Sequence, residues 1–536
     1  MEVISPSVSG KSAQRHHVTG TVDLYLNGQQ RLIPIPSSDP LADPLNLPQW
    51  RKWACVAALC LFGSIGLTVQ AGIAGMIPVF IFEYSGLDPK MLNQMSGSGP
   101  VPAPPPGPHG HKSADMAKAF PVIPGKPTSA QVSMLGSLPS LFLGLANFFT
   151  IPLANAIGRR PVMLLSAVLA AATLPWAAGS TSLESHLAAR CIQALGTGAI
   201  ESLVPLILQD MSFIHERNKY IGFIWASGGV MACGLGIASS RIVADLGWRW
   251  FYWIMTIPAG LAFILIFVFV PETKFPRSQK SLDGDLSLVS QGQLRPEIDH
   301  GLHGRKRWGW TVFQYREWPQ AWHTLIEMGQ SLLLPNILWI ILLNSASIGT
   351  NIANQMAGGV VLLLPPYSFP QSSLGFVTIS LFVGSIFSFA ICGIGGDWLA
   401  GRLTKRNNGL REPEHQLINL VLPIIATIVG NVWFGDIGEH PEKYHWIWFF
   451  VSNAILGFGF ISINSVASVY AIECYPNMAG SLLVVVSALR NIISFGISFG
   501  VYGFIDLQGF IGTFGILGGV SGAIGLGIIP VWSMCP

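Results

Sequence analysis

Apolar residues in this chain gather into long blocks separated by polar stretches. Blocks of membrane-spanning length fall at about 53–80, 131–153, 161–179, 185–208, 219–243 and 250–270. A polar stretch of roughly 60 residues follows. A second set of blocks falls at about 333–364, 372–394, 415–434, 444–470, 478–502 and 510–533. Gly and Pro inside several blocks fit, because membrane helices tolerate them better than soluble ones do. The pattern predicts an all-α integral membrane protein with 12 transmembrane helices. Four regions follow: a disordered polar tail at 1–52, six spans at 53–270, a linker at 271–332, and six more spans at 333–536. A loop at 84–130 carries the proline run from Pro100 to Pro108 and is expected to be flexible and partly polyproline-like.

Composition sharpens this. Half of the 536 residues are hydrophobic and 11% are charged, against about 25% in soluble domains. Mean hydropathy is +0.50. So few charges exclude a cytosolic enzyme, a disordered protein and a nucleic-acid binder, and a net charge of +3 provides no basic field. The tail has no apolar run, so no cleavable signal peptide is expected. The seven cysteines form no CxxC, so buried free thiols are expected, with no disulfide framework and no zinc site. No sequon for N-glycosylation occurs.

Charge placement predicts orientation. With the amino terminus cytoplasmic, 21 of the 30 Lys and Arg residues fall on the inside and six on the outside. Arg190, Arg241 and Arg490 fall within spans. This bias predicts cytoplasmic termini at both ends. In the linker, expected to be a solvated tether, Trp308, Trp310, Trp318 and Trp322 suggest that part lies along the inner membrane surface.

Ionised side chains at the bilayer centre cost about 2.5–3.5 kcal/mol on insertion scales, so the few present are site candidates. Span four carries Arg190, Gln193, Thr197 and Glu201 at i, i+3, i+7 and i+11. On a continuous helix, Arg190 and Glu201 share a face to within about 20° and lie about 16 Å apart, too far for a direct pair. Further polar stripes are Asn344, Ser347, Asn351 and Gln355 on span seven, Asn464 and Ser468 on span ten, and Ser487, Arg490, Ser494 and Ser498 on span eleven. One stripe fits hydrogen bonding between helices. Several together predict a shared water-filled cavity. Gly229, Cys233, Gly236 and Ser240 on span five form a small-residue face that lets a helix approach.

Some motifs carry no chemistry here. Gly496 to Gly500 matches GxSxG, but inside a membrane helix it reads as a packing face, as do Gly515 to Gly519 and Gly518 to Gly522. No P-loop, HExxH or dinucleotide fingerprint is present, and no metal or cofactor is expected. His186 and His215 lie at span ends and are expected to be solvated.

Residues 152–161 read Pro-Leu-Ala-Asn-Ala-Ile-Gly-Arg-Arg-Pro. This resembles the Gly-x-x-x-Asp-x-x-Gly-Arg-Arg signature of the major facilitator superfamily, with Gly393, Asp397 and Arg402 at the equivalent place in the second half. Arg190-x-x-Gln193 is similar to the membrane-arginine signature of proton-coupled drug antiporters. Asp43-Pro-Leu-Asn-Leu-Pro, His215-Glu-Arg, Leu246-Gly-Trp-Arg-Trp, Pro271-Glu-Thr, Asn408-Gly-Leu-Arg-Glu-Pro-Glu and Glu473-Cys-Tyr-Pro resemble the fungal drug:proton antiporter-like branch, from about residue 43 to the end. Two departures stand out. Asn155 replaces the family acid, so its charge contacts are expected to be lost. Residues 235–240 read Leu-Gly-Ile-Ala-Ser-Ser where the branch has a Gly-Pro-x-x-Gly-Gly signature.

The resemblance implies two six-helix bundles rocking about a midplane cavity. It implies a cytoplasmic gate at Asn155, Gly158, Arg159 and Arg160 and, in the second half, at Gly393, Asp397 and Arg402. The implied activity is not enzymatic. It is secondary active transport by alternating access, with proton-coupled efflux of a small organic compound such as a fungal secondary metabolite, toxin or drug. Import of a nutrient or polyamine by the same fold, and a non-transporting sensor, are the alternatives. Cavity candidates are Arg190, Gln193, Thr197, Glu201, Asn344, Asn351, Gln355, Asn464 and Arg490. Glu201 is the candidate proton carrier, because burial favours the protonated form of a carboxyl group. Arg190 is expected to sense its charge, and Arg490 to hold an anionic substrate group or pair with an acid. Partners are the substrate, protons and the bilayer, with a functional monomer in the cell membrane.

Overall fold

A computed structural model describes residues 25–26, 29–30, 34–36, 43–87, 125–275, 277, 317–406, 413–475 and 478–534. Most of the Pro-rich loop, together with Trp308, Trp310 and Cys535, lies outside these residues. Among the described residues, twelve helical segments are long and apolar enough to cross a membrane. The first six are Gln49–Gln70, Ser129–Ile157, Arg159–Ala178, Leu183–Met211, Ser227–Leu246 and Trp248–Phe269. The second six are Pro335–Leu363, Gln371–Leu403, Pro413–Glu439, Trp446–Cys474, Gly480–Phe499 and Val501–Trp532. They are numbered one to twelve below. Helices satisfy their own backbone groups, so sequences this apolar can cross lipid only as helices or closed barrels. A two-residue hairpin, Tyr25–Leu26 with Gln29–Gln30, is the strand structure among the described residues.

The helix pairings repeat. Span one packs on five and six, two on four, and three on four and six. Shifting each number by six gives seven on eleven and twelve, eight on ten, and nine on ten and twelve, and all of these pairs occur. The halves meet where span two lies along eleven and span five lies along eight. Small residues permit both approaches. A side chain on Gly144 of span two would begin 2.6 Å from the Ala488 carbonyl oxygen of span eleven. On the small-residue face of span five, Ser240 Oγ donates to the Ser372 carbonyl (3.0 Å) and accepts from the Gly375 N–H (3.1 Å). Gly229, on the same face, has nothing within 4 Å of the place a Cβ would occupy. A Cβ on Gly496 would meet nothing within 4 Å among the described residues and one on Gly500 only Phe504 at the start of span twelve, whereas Gly518 and Gly522 approach span nine.

Irregularities fall at particular residues. Gly158 (φ +108°) both ends span two and opens span three, and Gly247 (φ +92°) joins five to six in the same way. Only glycine adopts such angles without strain. Span four is not the continuous helix expected from the sequence. Its α-helix Leu183–Thr197 gives way to a 3-10 turn at Gly198–Ile200, and a second helix runs Leu203–Met211. The turn includes Gly198, whose Cα lies against Ala146 of span two, and it re-aims everything beyond it. Span one ends sooner than its apolar block. A 3-10 turn at Ala74–Met76 precedes a short helix, Ile77–Ser85.

The linker contributes an amphipathic helix, Trp318–Ser331, that buries Thr324, Met328 and Ser331. It packs against spans two and eleven and so bridges the halves at one end. Trp318 and Trp322 are exposed.

Candidate functional site

The Gly158 end is held by a network of charges. Gly158 lets the chain turn so that the N–H groups of Arg159 and Arg160 point outward from the start of span three. Glu272 accepts both, at 2.9 and 3.3 Å, and also the N–H of Lys274 at 2.9 Å. A carboxylate there complements the positive end of the helix dipole. Burial pushes the Glu272 carboxyl above its ordinary range, against the downward pull of these three donors. Arg159 reaches Asp210 at the foot of span four (3.1 Å), and Arg160 donates to the Phe267 carbonyl (2.8 Å).

Asn155 keeps a role without a charge. Its amide donates to Thr324 Oγ1 of the linker helix (2.9 Å), and its carbonyl accepts from Lys274 Nζ (2.6 Å). The expected loss of charge contacts at Asn155 is offset by Glu272 and Asp210, which meet Arg159 instead. Within the segment expected to be a tail, Asp43 caps a 3-10 turn and pairs with Arg277 (2.7 Å). The equivalent turn of the second half is built differently. Gly393 lies in a π-helical stretch, Phe389–Ile394. Arg402 is exposed and stacks on Trp398 of its own helix, 4.9 Å from the ring centroid. The Asp397 side chain lies outside the described residues.

Midway along the spans, the structure joins residues that the sequence kept apart. Glu201 Oε1 pairs with Arg490 Nη2 of span eleven at 2.9 Å. Glu201 Oε2 accepts from Asn491 Nδ2 at 2.8 Å. Arg490 Nη1 also donates to Asn464 Oδ1 of span ten. The pair is largely buried, with side-chain exposures of 16% for Glu201 and 6% for Arg490. It is an ionic joint between the two halves, and Glu201 is the acid that sequence reasoning left unidentified for Arg490. The break in span four turns Glu201 toward span eleven rather than back along the Arg190 stripe.

Arg190 therefore has other partners. Its guanidinium, 1% exposed, donates to Gln193 Oε1 (2.5 Å) and to Gln70 Oε1 of span one (3.3 Å). Among the described residues no carboxylate reaches it. Thr197 turns back to the Gln193 and Ala194 carbonyls. His186 corrects another expectation. It is fully buried rather than solvated, held at 2.9 Å by both Tyr84 and Tyr252 hydroxyls and stacked on Trp248. The short helix after span one supplies Tyr84 and covers the ring. The His215 side chain lies outside the described residues.

Near the other end, a cavity of about 50 Å³ lies between spans one and five of the first half and seven, eight and ten of the second. That is room for a few water molecules. Asn351 and Gln355 line it and bond each other at 2.7 Å. Asn344 does not join them; it is buried and donates to the Ile340 carbonyl of its own helix. Gln371 closes this end by donating to the Gly75 carbonyl (2.9 Å). Asn491, Gln70, Asp210 and Asn453 are polar residues of these sites that sequence reasoning did not single out. Asn491 had a signal, since it adjoins Arg490 inside an apolar block.

Comparison with known proteins agrees with this architecture. The family model described as Major Facilitator Superfamily matches residues 59–501. An uncharacterized MFS-type transporter of Schizosaccharomyces pombe is 22% identical over 413 residues, which is 68% of this chain and 71% of that protein. The efflux pump radE of Floropilus chiversii is 21% identical over 473 residues, 87% of this chain and 76% of the pump. Among solved structures, a POT family transporter in complex with 5-aminolevulinic acid superposes with a TM-score of 0.60 at 12% identity, covering 92% of this chain and 98% of that one. At that identity the likeness concerns the fold. With twelve spans in two repeated sets and a family match over most of its length, the chain belongs to the Major Facilitator Superfamily and is a multi-pass membrane transporter.

Proposed function

We propose that this transporter is a proton-coupled exporter of a small organic compound, working by alternating access. The observation that carries this reading is the Glu201–Arg490 pair, a protonatable joint between the two halves. Protonation of Glu201 removes one of the two charges. Breaking a buried pair from one side costs about 3–5 kcal/mol, enough to bias the halves toward another arrangement. Proton binding is thereby coupled to rocking, with a small organic compound leaving as protons enter.

Lysine and arginine bias supports cytoplasmic termini. In that orientation the contacts made by Gln371 and Ser240 lie at the extracellular end, with the cavity beside them. The name of the efflux pump relative favours export, with a fungal secondary metabolite, toxin or drug as cargo. The cell membrane is the proposed location. Either half alone holds only part of the joint, and both halves lie in one chain, so a monomer suffices.

The test is flux in reconstituted vesicles under an imposed pH gradient. Glu201→Gln keeps the shape and the hydrogen-bonding ability but cannot ionise. It is expected to abolish gradient-driven flux; flux that still follows the gradient in this variant would refute the role of Glu201.

A further inference from the structure

Among the described residues the lining of the cavity between the halves is uncharged, and its hydrogen-bonding atoms can be named. Resting on the export reading above, we infer that the compound moved is a neutral molecule with both hydrogen-bond donors and acceptors, not an organic cation or anion.

Three amides face the space. Gln355 Nε2 donates one N–H to Asn351 Oδ1, which leaves its second N–H and Asn351 Nδ2 as donors and Gln355 Oε1 as an acceptor. Asn453 Nδ2 donates one N–H to the Phe449 carbonyl, and Asn453 Oδ1 is a second acceptor. The hydroxyls of the lining have partners already. Ser239 donates to the Gly236 carbonyl, Ser240 holds the contact with span eight, and Thr378 donates to the Cys233 and Gly375 carbonyls. Leu374, Val377 and Leu381 supply an apolar wall. The vacant positions therefore comprise both donors and acceptors beside an apolar surface. A hydroxyl, keto or amide group satisfies such positions; an ion needs a counter-charge that amides cannot supply in a dry site.

The intramembrane charges are committed elsewhere. Glu201 and Arg490 neutralise each other, and Arg190 lies between Gln193 and Gln70. None of the three lines the cavity. Arg241 follows Ser240 but is exposed and is not part of the lining. The residues that line the cavity contribute no fixed charge from either half.

The experiment compares metabolites inside and outside cells that lack the gene with those re-expressing it. Compounds that redistribute are passed at pH 7 over cation- and anion-exchange resins. They are expected to be retained on neither resin. Asn351→Asp, of the same size, is expected to stop restoring their distribution while conferring export of the cationic dye rhodamine 6G. Redistributed compounds retained on either resin would overturn the neutral-substrate inference and leave export standing. Restoration by Glu201→Gln to the wild-type level would overturn proton coupling and leave the substrate class standing. If nothing redistributes, export fails and the inference fails with it.

Discussion

Exchanging the charges of the ionic joint tests whether it holds the two halves. In the native chain, Glu201 and Arg490 lie 2.9 Å apart and largely out of solvent. Arg490→Glu places two carboxylates against each other, and Glu201→Arg two guanidinium groups. Either single change leaves an uncompensated buried charge, which costs about 3–5 kcal/mol. The partial exposure of Glu201 places the expected loss near 3 kcal/mol. The exchanged pair restores attraction. The surrounding amides, Asn464 and Asn491, can present either a donor or an acceptor, so they accommodate both orientations. Apparent melting temperature in detergent, at one scan rate, is the assay. Each single variant is expected to melt below wild type and the double variant to regain most of the loss, a coupling of about 2 kcal/mol or more. Losses that simply add in the double variant would show that the two side chains do not act as a pair.

Two further outcomes follow from the Gly158 end. Thr324→Val with Glu327→Ala removes the linker helix's bonds to Asn155 and Ser481. At about 1 kcal/mol per bond, labels on the two halves at that end should show a broader distance distribution, while an unchanged distribution would mean the helix does not brace them. Glu272 predicts a pH effect. Its carboxyl is raised by burial, so its contribution is fully present below its unfolded value of about 4.3 and is lost as pH rises through the raised folded value. Between pH 4 and 7, wild type should therefore lose more melting temperature than Glu272→Gln; equal losses would contradict the assignment.

Spans were legible because burial in lipid imposes length and composition on each one separately. The stripe of span seven was half legible: Asn351 and Gln355 face the cavity, while Asn344 binds its own helix. What periodicity could not supply was any contact that depends on how bundles pack. Asn491 meets Glu201 across 290 positions of sequence; its place beside Arg490 marks it as polar inside an apolar block, but nothing local names Glu201 as its partner. The Arg190 stripe failed for a different reason. Extrapolation along an ideal helix assumed 100° per residue through Gly198, where the chain turns as a 3-10 helix. His186 was misread because a span end in sequence need not be a span end in solvent; the Ile77–Ser85 helix covers it. At the Asn155 turn, the missing acid was visible, but the carboxylates that meet Arg159 come from other elements, Asp210 and Glu272.

The central claim is that protonating Glu201 releases the joint and lets the halves move. Phe223, on the helix Ile214–Leu246 that runs into span five, and Trp398 of span eight are exposed residues, one in each half, toward the Gly158 end. Spin labels at these positions would report the separation by pulsed electron resonance at pH 5 and pH 8. The distance distribution is expected to shift with pH in the otherwise native chain and to be independent of pH when Glu201→Gln is added. A native distribution that ignores pH, or a Glu201→Gln distribution that shifts as much as the native one, would contradict the account.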